Sequence, residues 1–502
     1  MKLLWIDDEI DLLKPFIYLL QQEGYEVKTA TSGEDGVGLA EKEVFDLIFL
    51  DEIMPGVDGL EVLRKIKSEN SQQLVVMVTK SEEEDLMNKA YGGWVDDYIT
   101  KPFSFNQLLS VLNRTLKRRV IISEKMAEEY ATQFRSLPEP RDHNEWVEYF
   151  KSLVSWDLRL LEFGGKDLKD IQEERKREAN AGFVKYVVEE YQAFLQGKGP
   201  VLSNKVFSHY VLPLLQEGPV HFVIFDSMRL DQYNKLLPYM RDYYETQSQF
   251  YYSILPTATP YSRNALFSGL LPLEILQQYP QYWSFEEKGQ NRFEKELFTE
   301  QLKRHNLRIK FSFYKLSSIA EIERNVDAIV NDKHDIVIVI VNFFDLLLHS
   351  IPGRGDMKGI LDDERVLLNL LGYWFPLSPI FEIFKNLAKQ KSRIVLTTDH
   401  GFIRVRRPTI VYGGRTISPN LRYKYGHALR VDGKTALLLN NPGELSLPSD
   451  DPSVRFAIAK DDFYFIYPTK PTEYEKEFKY TFQHGGISME EMILPLAVLK
   501  PR

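Results

Sequence analysis

The segment from Ser253 to Gly269, SILPTATPYSRNALFSG, determines how the larger part of this chain is interpreted. It places Thr259 in the pattern Pro-Thr-x-Thr-x-x-Ser-Arg, directly after an apolar run that is typical of a strand. A hydroxyl is a poor nucleophile at neutral pH, and no histidine lies beside Thr259 in the sequence, so we expect a metal ion to activate it. The metal ligands must then come from elsewhere in the chain.

Candidate ligands follow apolar runs that are typical of strands. The runs VHFVIFDSM, IVIVIVNFF, RIVLTTDHG and the late FQHGG supply, with the threonine, seven candidates: Asp226, Thr259, Asp345, His349, Asp399, His400 and His484. A lone Asp after a strand is usually a cap or turn residue, so the joint pattern carries this prediction. An oxygen nucleophile completed by Asp and His favours zinc, because imidazole suits zinc whereas magnesium prefers oxygen alone.

In order and spacing these residues resemble the alkaline phosphatase superfamily, in its branch with the PglZ-type domain. The resemblance implies hydrolysis of phosphate or sulfate esters with two Zn²⁺ per chain. It implies attack of Thr259 on phosphorus, followed by hydrolysis of the phosphothreonine. It assigns one zinc to Asp226, Thr259, Asp399 and His400, and the other to Asp345, His349 and His484.

Composition limits the remaining possibilities. At 502 residues, two or three domains are expected, and the absence of cysteine excludes disulfides and thiolate ligands. The first apolar run, MKLLWI, is broken by acids and no run reaches the roughly 18 apolar residues of a membrane span, so we expect a cytoplasmic protein without membrane insertion. The net charge of −9 argues against a chain that coats nucleic acid.

Residues 1–120 alternate short apolar runs with helical patterns, which predicts a doubly wound five-stranded parallel sheet within an overall α/β chain. Polar residues close four of the runs: Asp7 and Asp8, Asp51, Thr79, and Lys101. Three carboxylates at one edge would repel each other unless a hard cation bound them, and a lysine and a hydroxyl suit a phosphoryl group.

The patterns DEIMPG at 51–56 and DYITKPF at 97–103 resemble the bacterial receiver domain. The resemblance implies that a sensor histidine kinase phosphorylates Asp51. It also implies a Mg²⁺ site and a phosphate-responsive set: Asp7, Asp8, Asp51 and Ile53 for the metal, and Thr79, Lys101 and the switch aromatic Tyr98 for the phosphoryl group. Receivers usually carry Gly-Ala where this chain has Trp94 and Val95. A flavodoxin-like sheet with solvated acids is the alternative.

Beyond this domain, residues 121–200 predict a helical-bundle connector, with segments Lys125–Phe134, Asn144–Phe163, Lys169–Arg177 and Phe183–Leu195 following a receiver helix Phe105–Arg118. The connector is either a spacer or a transmitter of the signal. Residues 201–502 predict a large α/β alkaline-phosphatase-like domain. Its runs HFVIF, DIVIVIV and RIVLTT lack alternation, so their strands should be buried on both faces, and MILPLAVL should form a closing strand.

The stretch from Gly401 to Arg430 bears on the substrate. It holds seven cations and no acid, interleaved with tyrosines: Arg404, Arg406, Arg407, Arg415, Arg422, Lys424 and Arg430, with Tyr412, Tyr423 and Tyr425. Cations attract phosphates and aromatics stack bases, which predicts an oligonucleotide diester as substrate, with Arg404, Arg406 and Arg407 binding it. A solvated loop or an intersubunit contact is the alternative. Arg263 could bind substrate or hold a core carboxylate.

The whole chain resembles the PorX-type family of response regulators of Bacteroidota. The resemblance implies a phosphorylation-controlled phosphodiesterase linked to type IX secretion, with secretion-system or transcription-regulatory proteins as partners. Phosphorylation should favour a homodimer, in which Arg114, Lys117 and Arg118 could pair with acids of a second copy. A non-catalytic zinc-containing regulator that acts through protein partners, and a phosphomonoesterase, are the alternatives.

Overall fold

The computed structural model describes the chain except for residues 71–72, 81–94, 164–165, 286–288, 343–363 and 415–417, and it describes only the backbone of 118–123, 162–163, 166 and 365–366. The chain forms two compact units. The first comprises Met1–Leu137 and Arg159–Lys169, and the second comprises Pro138–Leu158 and Asp170–Arg502.

The first unit contains a parallel sheet in the order β2-β1-β3-β4-β5, as the sequence predicts. Its elements are β1 Lys2–Ile6, α1 Ile10–Gln22, β2 Glu26–Ala30, α2 Gly33–Lys42, β3 Leu47–Asp51, α3 Gly59–Glu69, β4 Val75–Thr79 and β5 Asp97–Thr100. Every residue of β3 and β4 is buried, because apolar clusters cover both faces of the sheet. The parallel direction brings the polar residues at the strand ends to one edge.

A single helix, α4, runs from Phe105 to Ser136. It begins at a capping box in which the Gln107 amide donates to Ser104 Oγ (3.3 Å) and the Ser104 amide donates to Gln107 Oε1 (2.8 Å). The sequence predicted two separate segments here, and that division is wrong, because residues 119–124 hold no glycine or proline to end a helix. The predicted domain boundary at residue 120 therefore falls inside α4.

Two further long helices follow, α5 His143–Phe163 and α6 Lys166–Leu195. The two segments predicted on either side of residue 180 form one helix in α6. Within the second unit, α5 packs on α6 through Trp146 and Phe183, whose ring centroids lie 5.4 Å apart. The Asp157 carboxylate of α5 accepts from Lys176 Nζ at 2.9 Å, so α6 is tied to α5 by charge as well as by apolar contact.

The second unit is built on a six-stranded sheet in the order β7-β18-β10-β6-β9-β8. These strands are β6 Val220–Phe225, β7 Tyr244–Tyr252, β8 Phe311–Leu316, β9 Ile336–Val341, β10 Arg393–Thr397 and β18 Ile493–Pro501. All residues of β6 and β9 are buried, as the absence of alternation predicts. The predicted closing strand is β18, and it lies inside the sheet, antiparallel to β7 and β10.

Small sheets complete this unit. Their strands are β11 Ile403–Arg404, β12 Arg407–Ile410, β13 Tyr423–His427, β14 Ala436–Leu439, β15 Val454–Ala459, β16 Phe463–Ile466 and β17 Phe482–Gln483. Its helices are α7 Leu212–Leu215, α8 Leu230–Met240, α9 Thr259–Ser268, α10 Pro272–Gln278, α11 Glu294–Arg304, α12 Ile319–Val330, α13 Glu364–Trp374, α14 Pro379–Lys389, α15 Pro471–Phe478 and α16 Met489–Met492. The antiparallel pairing of β11 with β17 brings the chain after His400 beside the chain before His484.

Within the described part of the chain, no single helix is long and apolar enough to cross a membrane, although the bent pair Leu367–Leu377 and Pro379–Lys389 passes that test by length and composition.

Candidate functional site

Thr259 is the first residue of α9 and follows the turn after β7. Its Oγ1 lies 2.9 Å from Nε2 of His400. No histidine is adjacent to Thr259 in the sequence, and the fold brings this one from 141 residues away. The threonine is half-buried, so its hydroxyl is accessible from one side.

The turn Asp399-His400-Gly401 follows β10, and the side chains of Asp399 and His400 are fully buried. His400 Nδ1 lies 3.0 Å from the Gly401 carbonyl oxygen, so it carries the proton and donates this hydrogen bond. Nε2 therefore presents its lone pair to Thr259, to Asp226 Oδ1 at 3.8 Å and to Asp399 Oδ2 at 3.7 Å.

Asp226 reaches the same place because β6 and β10 are adjacent parallel strands and their carboxyl ends coincide. Ligand atoms of Asp226, Asp399 and His400 all lie within 4.8 Å of one another. Ser227, with φ of 60°, turns its amide toward Asp399 Oδ1 at 3.4 Å and its hydroxyl toward Asp226 Oδ1 at 3.2 Å. The left-handed backbone of Ser227 thus orients both carboxylates.

Two buried polar atoms at this place accept or donate no hydrogen bond among the described residues, Asp399 Oδ2 and His484 Nδ1. The His484 ring stacks on that of His400, with centroids 4.3 Å apart and an interplanar angle of 21°. Buried polar groups without partners are costly, and a cation would satisfy both. A hydroxyl, two carboxylates and two imidazoles form a donor set that fits zinc.

The charges of these groups also suit a cation. Burial lowers the pKa of His484 to about 4 and lowers the pKa of His400, so both rings are neutral, which is the form that binds metals. Burial would raise the pKa of Asp226, but the charge and hydrogen bond of Arg263, together with the charges that His400 and His484 carry when protonated, outweigh burial and lower that pKa. Burial and the charge of Asp226 raise the pKa of Asp399. A cation would therefore displace a proton from Asp399 on binding.

Arg263 is only 2% exposed. Its Nη1 donates to Asp226 Oδ2 at 2.6 Å and its Nε donates to Glu294 Oε1 at 2.6 Å, while Lys315 Nζ lies 3.1 Å from the other oxygen of Glu294. Of the two roles that the sequence left open for Arg263, the one in which it holds a core carboxylate therefore has its partners in the structure.

The loop that carries His484 is held by residues that the sequence reasoning missed. Thr257 Oγ1 donates to the Gly486 carbonyl oxygen at 2.8 Å and accepts from the Gly485 amide at 3.1 Å. Glu491 Oε1 accepts from the Gly486 amide at 2.8 Å, and the fully buried Arg422 pairs with the Glu491 carboxylate. The Ser-x-x-Glu spacing that ends at Glu491 is a helix-capping signal that could have drawn attention to this segment.

Asp345 and His349 fall within residues 343–363 and lie outside the described residues. The ligand set of a second zinc therefore stays a prediction. His484, which the resemblance assigned to that second zinc, lies against His400 of the first group.

Three arginines of the stretch from Gly401 to Arg430 have acidic partners within the chain, and substrate binding by Arg404, Arg406 and Arg407 stays a prediction. Arg406 pairs with Glu173, Arg407 with Asp461 and Asp462, and Arg422 with Glu491. Each arginine is neutralised by an acid distant in sequence, so the absence of acids from the stretch itself was misleading. Arg404 donates to the Tyr480 carbonyl oxygen at 3.2 Å, Lys424 donates to the Ser418 carbonyl oxygen at 2.8 Å, and Arg415 lies outside the described residues.

The first unit holds the second group of candidate residues. Lys101 Nζ lies 2.8 Å from Asp7 Oδ2 and 3.1 Å from Asp51 Oδ2. Ligand atoms of Asp7, Asp8 and Asp51 lie within 4.8 Å of one another, and an all-oxygen set fits magnesium. Burial and the charge of Asp7 raise the pKa of Asp51. The side chain of Ile53 is 67% exposed and apolar, so only its carbonyl oxygen could serve a metal.

The predicted switch residues lie at the same edge of the sheet. Thr79 is 1% exposed and donates to the Glu52 carboxylate, and Tyr98 is half-buried on β5. The half-buried Val95 precedes β5, while Trp94 lies outside the described residues.

The cations predicted to meet a second copy follow on α4. Arg114 already pairs within the chain with Asp97, at 2.7 Å, Lys117 is exposed, and the side chain of Arg118 is not among those described.

Comparison with known proteins places three family models along the chain. Residues 3–113 match the response regulator receiver domain, residues 120–195 match the PorX response regulator linker domain, and residues 206–499 match the BREX system PglZ alkaline phosphatase-like domain. The response regulator ArlR of Staphylococcus aureus is 35% identical over 119 residues, which is 24% of this chain and 53% of the relative. The chain thus spans about half the length of the curated relatives it matches.

Solved receiver structures are also similar. A CheY-like receiver domain protein from Methanospirillum hungatei is 28% identical and covers 23% of this chain and 94% of its own, with a TM-score of 0.22. The response regulator TrrA from Thermotoga maritima, in complex with Mg²⁺ and BeF, is 31% identical and covers 23% of this chain and 98% of its own, with a TM-score of 0.21.

Because the last of the three family models spans more than half of the chain, the protein belongs to the PglZ alkaline phosphatase-like family. Receiver, linker and phosphatase-like domains in this order give the architecture of a PorX-type response regulator. A receiver domain implies a histidine kinase as partner and binds Mg²⁺, and alkaline phosphatase-like domains are typically metal-dependent.

Proposed function

We propose that this response regulator is a two-zinc phosphodiesterase that acts on (oligo)nucleotides and is controlled by phosphorylation of Asp51. The observation that carries the proposal is the convergence of Asp226, Asp399 and His400 within 4.8 Å, with Thr259 Oγ1 2.9 Å from His400 Nε2. A purely structural metal site would have no need of a hydroxyl in this position.

Asp226, Asp399, His400 and Thr259 would hold one zinc, with His484 beside them and Asp345 and His349 completing the second. Bound zinc supplies a Lewis acid that lowers the pKa of a hydroxyl and stabilises charge on phosphoryl oxygens. The Thr259 oxygen would form a bond to phosphorus as the bond to the leaving alcohol breaks, and the hydroxyl proton would end on that alcohol; water would then cleave the phosphothreonine, which restores the Thr259 hydroxyl and releases a phosphomonoester. The Gly401 carbonyl keeps the proton on Nδ1 of His400, so Nε2 stays free of it on the side of Thr259. Arg263 keeps Asp226 ionised.

Aromatic side chains beside the nucleophile now support a base-carrying substrate better than the basic stretch does. Tyr261, two residues after Thr259, lines a narrow cleft with Trp283, Phe285, Tyr425 and others. The buried Trp283 Nε1 makes no hydrogen bond with the described residues. An aromatic wall with an unused donor suits a nucleobase, which has a π-face and acceptor atoms.

Replacing Trp283 with Leu is expected to lower kcat/KM for short oligonucleotides roughly tenfold, since stacking of one base is worth about 1–3 kcal/mol. A diester without bases should be cleaved at an unchanged rate. Steady-state kinetics on both substrates check this, with Tyr480→Leu as the control because that exposed ring lies on Arg404, outside the cleft. Equal losses on both substrates would contradict a base-binding role.

The experiment that tests the function is metal analysis combined with a panel of esters. We expect about two zinc ions per chain, loss of activity on chelation with recovery on zinc addition, and preference for linear or cyclic oligonucleotides over aryl phosphomonoesters. Equal or greater activity on monoesters would indicate a phosphomonoesterase. Fewer than about one zinc per chain, with no metal-dependent activity on any ester, would indicate a non-catalytic regulator acting through protein partners.

Phosphorylation is expected to convert the protein to a homodimer. A phosphoryl group on Asp51 adds up to about two negative charges near Lys101, and Thr79 must leave Glu52 to reach it, which repositions Tyr98 on β5. Light scattering of the wild type with beryllofluoride and Mg²⁺ should show a doubled mass. The Asp51→Asn variant should keep the mass of a monomer under the same conditions. An unchanged mass well above micromolar concentration would refute the switch.

The PorX-type architecture supports the predicted link to type IX secretion and to secretion-system or transcription-regulatory partners. Co-purification from cells with and without the cognate kinase tests that part of the proposal. Recovery of the same proteins in both cases would contradict control by phosphorylation.

A further inference from the structure

We infer that Asn180, on the linker helix α6, is a positioning residue for the proposed hydrolytic site and acts through the segment Ser488–Glu491. The inference rests on the proposed function. Asn180 is 3% exposed and uses both ends of its amide on this segment. Its Nδ2 donates to Glu490 Oε2 at 2.9 Å, and its Oδ1 accepts from the Met489 amide at 2.8 Å. A buried two-point contact of this kind fixes distance and rotation together.

The segment Ser488–Glu491 holds one side of the site through its backbone. The Glu491 carbonyl oxygen accepts from the Gly401 amide at 3.1 Å. A Cβ atom on Gly401 would come within 1.9 Å of the Glu490 carbonyl oxygen, so glycine is required for this close approach. Gly401 in turn accepts the hydrogen bond from His400 that sets the tautomer of that ring. A shift of the segment therefore moves His400.

The same segment holds the other side of the site through a side chain. The Glu491 carboxylate accepts from the Gly486 amide at 2.8 Å and from Ser488 Oγ at 2.7 Å, and it pairs with Arg422. Gly486 lies two residues after His484. The segment Ser488–Glu491 thus hydrogen-bonds to the chain beside His400, at Gly401, and to the chain after His484, at Gly486. Asn180 connects the same segment to the linker domain by hydrogen bonds.

This arrangement makes α6 part of the machinery that orients the metal ligands. Hydrogen-bonding partners behind metal ligands typically change metal affinity or activity by about 10- to 100-fold when they are replaced. Displacement of α6 should act on the site in the same way, because both the NH2 group and the carbonyl oxygen of the Asn180 amide are hydrogen-bonded to the segment.

The first test replaces Asn180 with Leu, which has a similar shape and no hydrogen-bonding group. Zinc affinity, measured by competition with a chromogenic chelator, should fall about 10- to 100-fold, and kcat should fall by a similar factor while KM changes less than about threefold. The matched control is Gln172→Leu. Gln172 is 2% exposed on the same helix, and its amide donates to the Leu153 carbonyl oxygen at 2.9 Å and to Asp157 at 2.8 Å, within the linker helices. The Gln172→Leu variant should have a lower thermal midpoint than the wild type and an unchanged zinc affinity.

A polarity swap gives the second test. Asn180→Asp should impair zinc binding, because it sets a carboxylate against that of Glu490. Adding Glu490→Gln should restore zinc binding, since the new amide can donate to the new carboxylate.

If the wild type binds no zinc, the proposed function fails. If the wild type binds zinc while Asn180→Leu matches Gln172→Leu, or the double variant is no better than the single one, the role of Asn180 is overturned.

Discussion

Replacing Thr259 with Ala is expected to reduce turnover of every ester at least about 10³-fold while the fold and most of the zinc content are retained. Without the hydroxyl no covalent intermediate can form on this residue, and only direct attack by water remains. Thr259→Ser keeps the hydroxyl and should keep a measurable fraction of the activity. Steady-state rates with circular dichroism and metal analysis of the same samples give the measurement.

Ligand variants provide the contrast for this prediction. Asp226→Ala and His400→Ala should lose zinc together with activity, because each removes one of three groups that meet within 4.8 Å. Thr259→Ala therefore separates the nucleophile from the metal site. Full activity of Thr259→Ala would show that water attacks the substrate directly and would move the threonine to a ligand role alone.

Replacing Arg263 with Met is expected to destabilise the metal-free second unit by about 3–5 kcal/mol, because buried Asp226 loses its cation and buried Glu294 keeps only the more exposed Lys315. Its partners Asp226 and Glu294 are both more than four-fifths buried as side chains, at 16% and 2% exposure. Bound zinc would also neutralise the charge of Asp226, so the loss of stability in Arg263→Met should be smaller in the zinc-loaded protein. Thermal unfolding with and without zinc measures the difference.

Lys470→Met is the control for this experiment, since Lys470 and Glu473 form a largely exposed pair that contributes at most about 1 kcal/mol. We expect its midpoint to match that of the wild type under both conditions. The quantity to compare is the difference in thermal midpoint between each variant and the wild type. If zinc reduces this difference for Arg263→Met no more than for the control, Arg263 does not share Asp226 with the metal.

The sequence predicted well what depends on local pattern. Continuous apolar runs such as Ile336–Val341 can be buried only between two layers, and parallel strands bring their end residues to one edge, so Asp226 and Asp399 were predictable neighbours. The same reasoning placed Asp7, Asp51 and Lys101 together.

What the sequence could not show depends on contacts between distant segments. The cations at Arg406 and Arg407 looked uncompensated because their acids, among them Glu173 and Asp461, lie 54 or more residues away. The approach of His400 to Thr259 needs the sheet order, which periodicity does not reveal. The division of α4 into two predicted helices is instead an error of local pattern, because residues 119–124 contain no glycine or proline that would end a helix.

The position of β18 has a consequence for biosynthesis. This strand pairs with β7 along nine residues and with β10 on its other side, so β7 is connected to the rest of the main sheet through a strand that is translated after all the others of that sheet. Until it emerges from the ribosome, β7 and β10 each keep an open edge, which favours association with other chains and with chaperones. His484 is also translated late. The nascent chain should therefore be able to complete its receiver sheet before the main sheet and the residues around Thr259 come together.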